Sequence, residues 1–289
     1  MIAIFKRELR AYFTSPIGFV FMGFFLLVAG IFFAWGNILQ GNPTYSGLLD
    51  SLTFVFMLIV PVLTMRLFSE EMRHKTDQLL ITSPLPITGI VAGKYLAAAA
   101  VFFLTLAVTF SYPILMSFFT FFGLAGWEIV CGYLGFFLMG SCFISVGLFF
   151  SAITDNQLIA AVITLAALLV MWIVDWVSQN VPTDALSGLI FLCIAGAGLI
   201  LLVFFSTRSI PATAVFGAAV GAALALTFIF SRGSFEGIIT KILSWFSLVK
   251  RFYAFSAGIL SLSSIVYYLS FAGIFVFLTV RLIEKRRWA

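Results

Sequence analysis

Long apolar stretches alternate with short charged punctuation along this chain, and the punctuation sets the reading. A helix needs about 20 mostly apolar residues to cross the hydrocarbon core of a bilayer. With charged residues as bookends, eight stretches qualify: roughly 16–36, 51–68, 90–122, 129–152, 157–178, 186–206, 210–230 and 260–282. The second is short between Asp50 and Arg66, but Arg66 can snorkel from its inner end. Pro61 predicts a kink in the second stretch, and Pro113 a kink or re-entrant bend in the long third one. The expected fold is all-α, a polytopic helical membrane protein. Only Thr207-Arg208-Ser209 separates the sixth and seventh stretches, so 186–230 reads as a closely linked pair. No linker marks off a soluble domain, and residues 1–289 read as one transmembrane domain.

Three further segments carry helical periodicity without the length or apolarity to span. Within 1–15, Ile2, Phe5, Leu9, Tyr12 and Phe13 recur on one face while Lys6, Arg7 and Arg10 face away. This predicts a helix lying in the interface, anchored to anionic lipid by the three cations. The segment 69–86 holds the densest charge in the chain. Across 69–80, Glu71 and Lys75 are spaced for an i,i+4 pair, and Met72, Thr76, Leu79 and Leu80 make a narrow apolar edge. Ser83-Pro84-Leu85-Pro86 should stop that helix. In 231–259, Ser234 is placed to cap a helix over Ile238, Ile239, Ile242, Leu243, Phe246 and Val249. Such a helix could cap a pathway or simply lie in the interface.

Composition agrees with the pattern. The chain is 63% hydrophobic and 9% charged, against about 25% charged in soluble proteins. Its 36 Phe residues suit both a lipid-facing surface and packing between helices. The net charge of +5 does not point to nucleic acid, because the basic residues cluster at segment ends. Eight spans put both termini on one side. With the N-terminus cytoplasmic, 12 of the 16 Lys and Arg residues lie inside, and only Arg232, Lys241, Lys250 and Arg251 lie outside. The expected location is the cytoplasmic membrane, multi-pass, with both termini in the cytoplasm. Lys6, Arg7 and Arg10 precede an uncharged run reaching Leu49, too long for a cleavable signal core. Cys131, Cys142 and Cys193 lack CxxC spacing and read as small buried residues.

Sites for chemistry are sparse. The nearest approach to a phosphate-binding loop, Gly89-Ile90-Val91-Ala92-Gly93-Lys94-Tyr95, has one residue too few between its glycines and Tyr where a hydroxyl should hold magnesium. It reads instead as a cytoplasmic turn leading into the third span. His74 is the only histidine, which excludes an HExxH metal site. Asp155 and Asp175 bracket the fifth span, too far apart to share a proton as a proteolytic pair. The expectation is a chain with no catalytic site, metal or cofactor of its own. An ion-coupled carrier is disfavoured because ionisable residues fall near span ends, and a channel because no regular polar stripe lines a span. Both stay open as alternatives.

One region resembles a known family. Arg66, then Ser69-Glu70-Glu71-Met72-Arg73-His74-Lys75-Thr76-Asp77-Gln78-Leu79-Leu80, Ser83-Pro84-Leu85-Pro86 and Gly93-Lys94-Tyr95 are similar to the coupling-helix region of ABC-2-type exporter permeases. Arg7 to Gly18 looks like that family's N-terminal interfacial helix, and Ile265–Ser270 with Glu284–Trp288 resembles its gliding-motility (GldF-like) branch. The resemblance implies a six-span core, with 186–230 as an inserted pair. It departs at Lys75-Thr76-Asp77, where the family often has Gly-Thr-Glu. It further implies a permease subunit that pairs with a second copy or a related permease, and with a cytosolic ATPase subunit that binds ATP and Mg. Glu70, Glu71, Met72, Arg73, Lys75, Asp77, Leu79 and Leu80 would then touch the ATPase.

Overall fold

A computed structural model describes every residue except 42–44, 77–84, 120–125, 208–216, 219–220, 222–235 and 289. Among the described residues the chain is helical throughout, with no strand. The helices are α1 (Ile2–Thr14), α2 (Pro16–Phe33, continued by a π-helical stretch over Ala34–Leu39), α3 (Ser46–Thr64), α4 (Arg66–Arg73), α5 (Ile87–Thr109) and α6 (Ser111–Phe119). They continue with α7 (Gly126–Ile153), α8 (Gln157–Asn180), α9 (Ala185–Thr207), α10 (Ile238–Phe246), α11 (Leu248–Ser256) and α12 (Leu262–Trp288).

Local chemistry explains the breaks. Ser15 is extended at φ −104°, ψ 152° because Pro16 follows it, and α1 and α2 are therefore separate helices. Helix α5 ends at Thr109, shortly before Pro113, which cannot donate to the turn behind it. The bend expected from Pro113 thus appears as the α5–α6 junction. Pro61 is accommodated within α3, and the interruption falls four residues later, at Met65. The charged segment departs from expectation. Helix α4 stops at Arg73, and Lys75 takes a left-handed φ of 56°, so a continuous helix over 69–80 does not form. Lys75 therefore leaves the i,i+4 register with Glu71. The helix expected over 238–249 is likewise split, because Ser247 is extended between α10 and α11, and Gly237 occupies the cap position. Ser234 lies outside the described residues.

Among the described residues, six stretches are long and apolar enough to cross a bilayer: Pro16–Leu39, Gly47–Arg73, Ile87–Phe118, Gly126–Ile153, Gln157–Asn180 and Leu262–Arg287. A multi-pass membrane protein is the consequence. Residues 186–206 fall in helix α9, whereas most of 210–230 lies outside the described residues.

The described chain divides into two compact units, Met1–Val170 with Leu248–Ala289, and Met171–Ser247. In the first, α7 is the central helix, with 72% of its apolar stretch buried; α3, α4, α5, α11 and α12 pack against it, and α2 packs on α3 and α5. Its core is aromatic. Phe21, Phe25, Phe56, Phe102, Phe136, Phe143, Phe252 and Phe255 are all fully buried. Phe56 stacks on Phe102 at 4.1 Å and meets Phe25 edge-on at 5.9 Å, while Phe136 meets Phe252 at 5.9 Å. Each such pair contributes about 0.5–1.5 kcal/mol beyond burial. In a bilayer, where lipid tails are as apolar as the core, close packing has to hold helices together. Gly140 of α7 allows it here, since a Cβ at that position would overlap the rings of Phe102 and Phe56.

In the second unit, the buried Asp175 accepts hydrogen bonds from Ser247 Oγ at 2.6 Å and Gln179 Nε2 at 3.1 Å. The Gly237 amide donates to the Thr183 carbonyl at 3.0 Å.

Candidate functional site

The polar residues of the first unit converge where α1, α4 and the start of α5 meet. Helix α1 packs against α5 because Gly93 lets it. A Cβ on Gly93 would stand 3.1 Å from the Ile4 side chain and 3.2 Å from the Met1 carbonyl oxygen. The face of α1 turned to protein is therefore Ile4, Glu8 and Tyr12. Of the apolar face expected from the sequence, only Tyr12 is buried; Ile2 and Phe13 are exposed.

Lys94, one residue beyond Gly93, is only 1% exposed. It does not lie in a turn, as its sequence suggests, but in the second turn of α5. Its Nζ donates to the Leu67 carbonyl at 2.6 Å and to Glu8 Oε1 at 3.1 Å. It also lies 3.0 Å from Glu71 Oε2, an ion pair without hydrogen-bond alignment. The Phe68 ring is 5.1 Å away, near enough for a cation–π contact. Arg7 closes the cluster, with Nη2 at 2.6 Å from Glu8 Oε1 and 2.7 Å from Glu71 Oε1. Arg66 pairs with Glu70 at 3.0 Å and donates to Ser15 Oγ at 2.8 Å. Three cations thus meet three carboxylates beside a recess of about 350 Å³.

Burial alone would raise the Glu8 carboxyl, but Lys94 and then Arg7 outweigh it and hold it below the usual carboxylate range. Tyr12 is buried too, which pushes its hydroxyl well up, and it donates to the Leu63 carbonyl at 2.8 Å. A depressed carboxylate contributes stability that is complete above its unfolded value, about 4.3, and lost as pH falls through the lower folded value. Glu8→Gln is therefore expected to flatten the loss of stability below about pH 4. Acid unfolding followed by tryptophan fluorescence checks this, and equal slopes in parent and variant would refute it.

Ser151 of α7 fixes the other end of α4. No side chain within the segment caps α4. Ser151 Oγ, arriving from another helix, accepts the Phe68 and Ser69 amides at 3.0 and 3.2 Å. It donates in turn to the Met65 carbonyl at 3.1 Å, while Ser69 Oγ donates to the Ser151 carbonyl at 3.0 Å. Arg286 of α12 adds a tie, with one guanidinium nitrogen against Met72 Sδ and the other donating to the Ile153 carbonyl at 2.9 Å.

The structure scatters the residues that the sequence singles out. Glu71 points inward to Lys94 and Arg7 rather than outward to a partner. Glu70 is held by Arg66, and Met72 lies against Arg286. Arg73 and Lys75 are exposed, as is His74. Asp77, Leu79 and Leu80 lie outside the described residues. Lys6 and Arg10 are exposed, whereas Arg7 is drawn into the ion cluster. Glu8, Lys94, Ser151 and Arg286 are not evident as site residues from the sequence. The Gly93-Lys94 pair is the one available signal, and its spacing reads as a turn. Two of the cysteines, Cys131 and Cys142, are buried, but Cys193 is exposed. Among the described residues, no group of three or more His, Cys, Asp or Glu side chains is placed to hold a metal ion.

No protein-family model matches this chain, and no curated protein is similar to it. The functional reading rests on the residues themselves.

Proposed function

We propose that this chain is the transmembrane permease subunit of an ATP-driven ABC exporter, of the ABC-2 type and the gliding-motility branch that its sequence resembles. In this reading it has no catalytic site. A separate cytosolic ATPase subunit binds ATP with Mg, and a second permease copy or a related chain completes the complex in the cytoplasmic membrane. Both termini and α4 face the cytoplasm, as the distribution of basic residues favours.

The observation that supports the reading best is the anchoring of α4. It is only 8 residues long, yet it is tied to α7 through Ser151, to α5 through Lys94, to α1 through Arg7 and to α12 through Arg286. A short helix so fixed passes a push on its exposed end to several spans at once. A solvated loop helix would need none of these ties. Its end carries Arg73, His74 and Lys75, all exposed. The contact with the ATPase therefore falls to these residues and to the segment C-terminal to them, while Glu71 serves inside the permease.

The test separates contact from structure. Arg73→Glu with Lys75→Glu is expected to weaken association with the cognate ATPase subunit about tenfold and to leave thermal stability within about 0.5 kcal/mol. Unchanged association and transport would remove these residues from the interface. Nucleotide turnover by the purified chain alone would overturn the permease assignment.

A further inference from the structure

A second recess, distinct from the ion cluster, opens between α1 and the two spans behind it. It measures about 430 Å³ and is lined by Ile2 and Phe5 of α1, Leu96, Ala100 and Phe103 of α5, and Phe137 of α7. That is within the range of small-molecule sites, about 300–1,000 Å³, yet its walls are apolar throughout. Its shape follows from side-chain size. Leu96 and Phe103 stand seven residues apart on one face of α5, and the alanines between them, Ala99 and Ala100, leave a hollow. Phe137, stacked on Phe102 at 5.9 Å and edge-on to Phe103 at 5.6 Å, closes the back. Helix α1 forms the lip.

Charge around the lip is one-sided. Glu8 is taken up by Lys94 and Arg7, and Arg7 by Glu8 and Glu71. Lys6, one helical turn from the lining residue Ile2, and Arg10, one turn further, are exposed and have no ion pair among the described residues. The lip thus offers cations above an apolar hollow, and every carboxylate of α1 is already compensated.

We propose that this crevice is a specific lipid site, holding one acyl chain of an anionic phospholipid whose headgroup lies at Lys6 and Arg10. A bare helix surface would meet lipid chains only in passing. Here the hollow gives one chain walls on three sides, and the two cations select its headgroup. The site depends on a bilayer-embedded chain and not on the permease reading.

Photolabelling tests it on the full chain in phosphatidylcholine nanodiscs. A trace of phosphatidylglycerol carrying a diazirine on one acyl chain is the probe, and mass spectrometry maps the adducts. Adducts are expected to concentrate on residues 1–5, 96–103 and 137 relative to the exposed α2 residues Phe24, Leu27 and Ile31. Ala100→Trp, which fills the hollow, should abolish that excess. Lys6→Glu with Arg10→Glu, both outside the hollow, should lower labelling by the phosphatidylglycerol probe about fivefold or more. Adducts spread evenly over exposed helix faces, or an excess unchanged by Ala100→Trp, would overturn the site. Equal labelling by a phosphatidylcholine probe of the same chain would overturn its selectivity for anionic lipid.

Discussion

Lys94→Met should be among the most damaging single substitutions in this protein, with an expected loss of about 3 kcal/mol. Removing one partner of a buried ion pair typically costs about 3–5 kcal/mol, because the remaining charge is left uncompensated. The lower figure applies because the Glu8 and Glu71 side chains keep 14% and 16% of their exposure, and Arg7 stays within reach of both. The Leu67 carbonyl also loses its donor. A second comparison isolates the cause. Replacing a whole buried ion cluster by neutral side chains is often close to harmless, so Lys94→Met combined with Glu8→Gln and Glu71→Gln should recover part of the loss. The readout is unfolding in detergent micelles, taken as a rate where refolding fails. A Lys94→Met chain that unfolds like the parent would show that the cluster is not structural.

The second large effect is expected at Ser151. Ser151→Ala removes the buried acceptor of the Phe68 and Ser69 amides and the donor to the part-buried Met65 carbonyl. Leaving a buried polar group without a partner costs about 1–3 kcal/mol, so the combined loss should reach about 2–4 kcal/mol. Ser145→Ala on the same helix is the control, because among the described residues Ser145 Oγ bonds only to the Cys142 carbonyl of its own α7. It should cost less than about 1 kcal/mol. Hydrogen exchange gives the local readout: the Phe68 and Ser69 amides should exchange faster in Ser151→Ala and not in Ser145→Ala. Exchange unchanged at both amides would mean that α4 is held by other contacts.

These two residues also mark where sequence reasoning reaches its limit. The apolar stretches are legible because charge ends them, and among the described residues six of those expected correspond to helices of spanning length. The role of Lys94 stays hidden. The third stretch, 90–122, takes it in, but the Gly89–Tyr95 spacing reads as a turn, whereas α5 starts at Ile87 after Pro86 and carries Lys94 within its second turn. Helix α1 is legible as amphipathic, but periodicity does not say which of its faces packs on protein. In a membrane protein the apolar stripe can be the one turned away from the protein, and Glu8 lies on the packed side with Ile4 and Tyr12. Ser151 leaves no trace at all, since one serine near the end of an apolar helix has no periodicity to betray a partner 82 or 83 residues away. The end of α4 at Arg73 is hidden because 69–80 reads as a plausible helix until Lys75 adopts its left-handed turn.

The distance along the chain between these partners bears on biosynthesis. Arg7 meets a carboxylate 64 residues later, Glu8 meets an ammonium 86 residues later, and the amides of α4 wait for a hydroxyl near the end of the second long apolar stretch after them. Until residue 151 has been made, α4 lacks the hydroxyl that takes its first amides, although its Glu71 already has Arg7. A nascent chain arrested before residue 151 should carry α4 open to protease, and extension past that point should make it resistant.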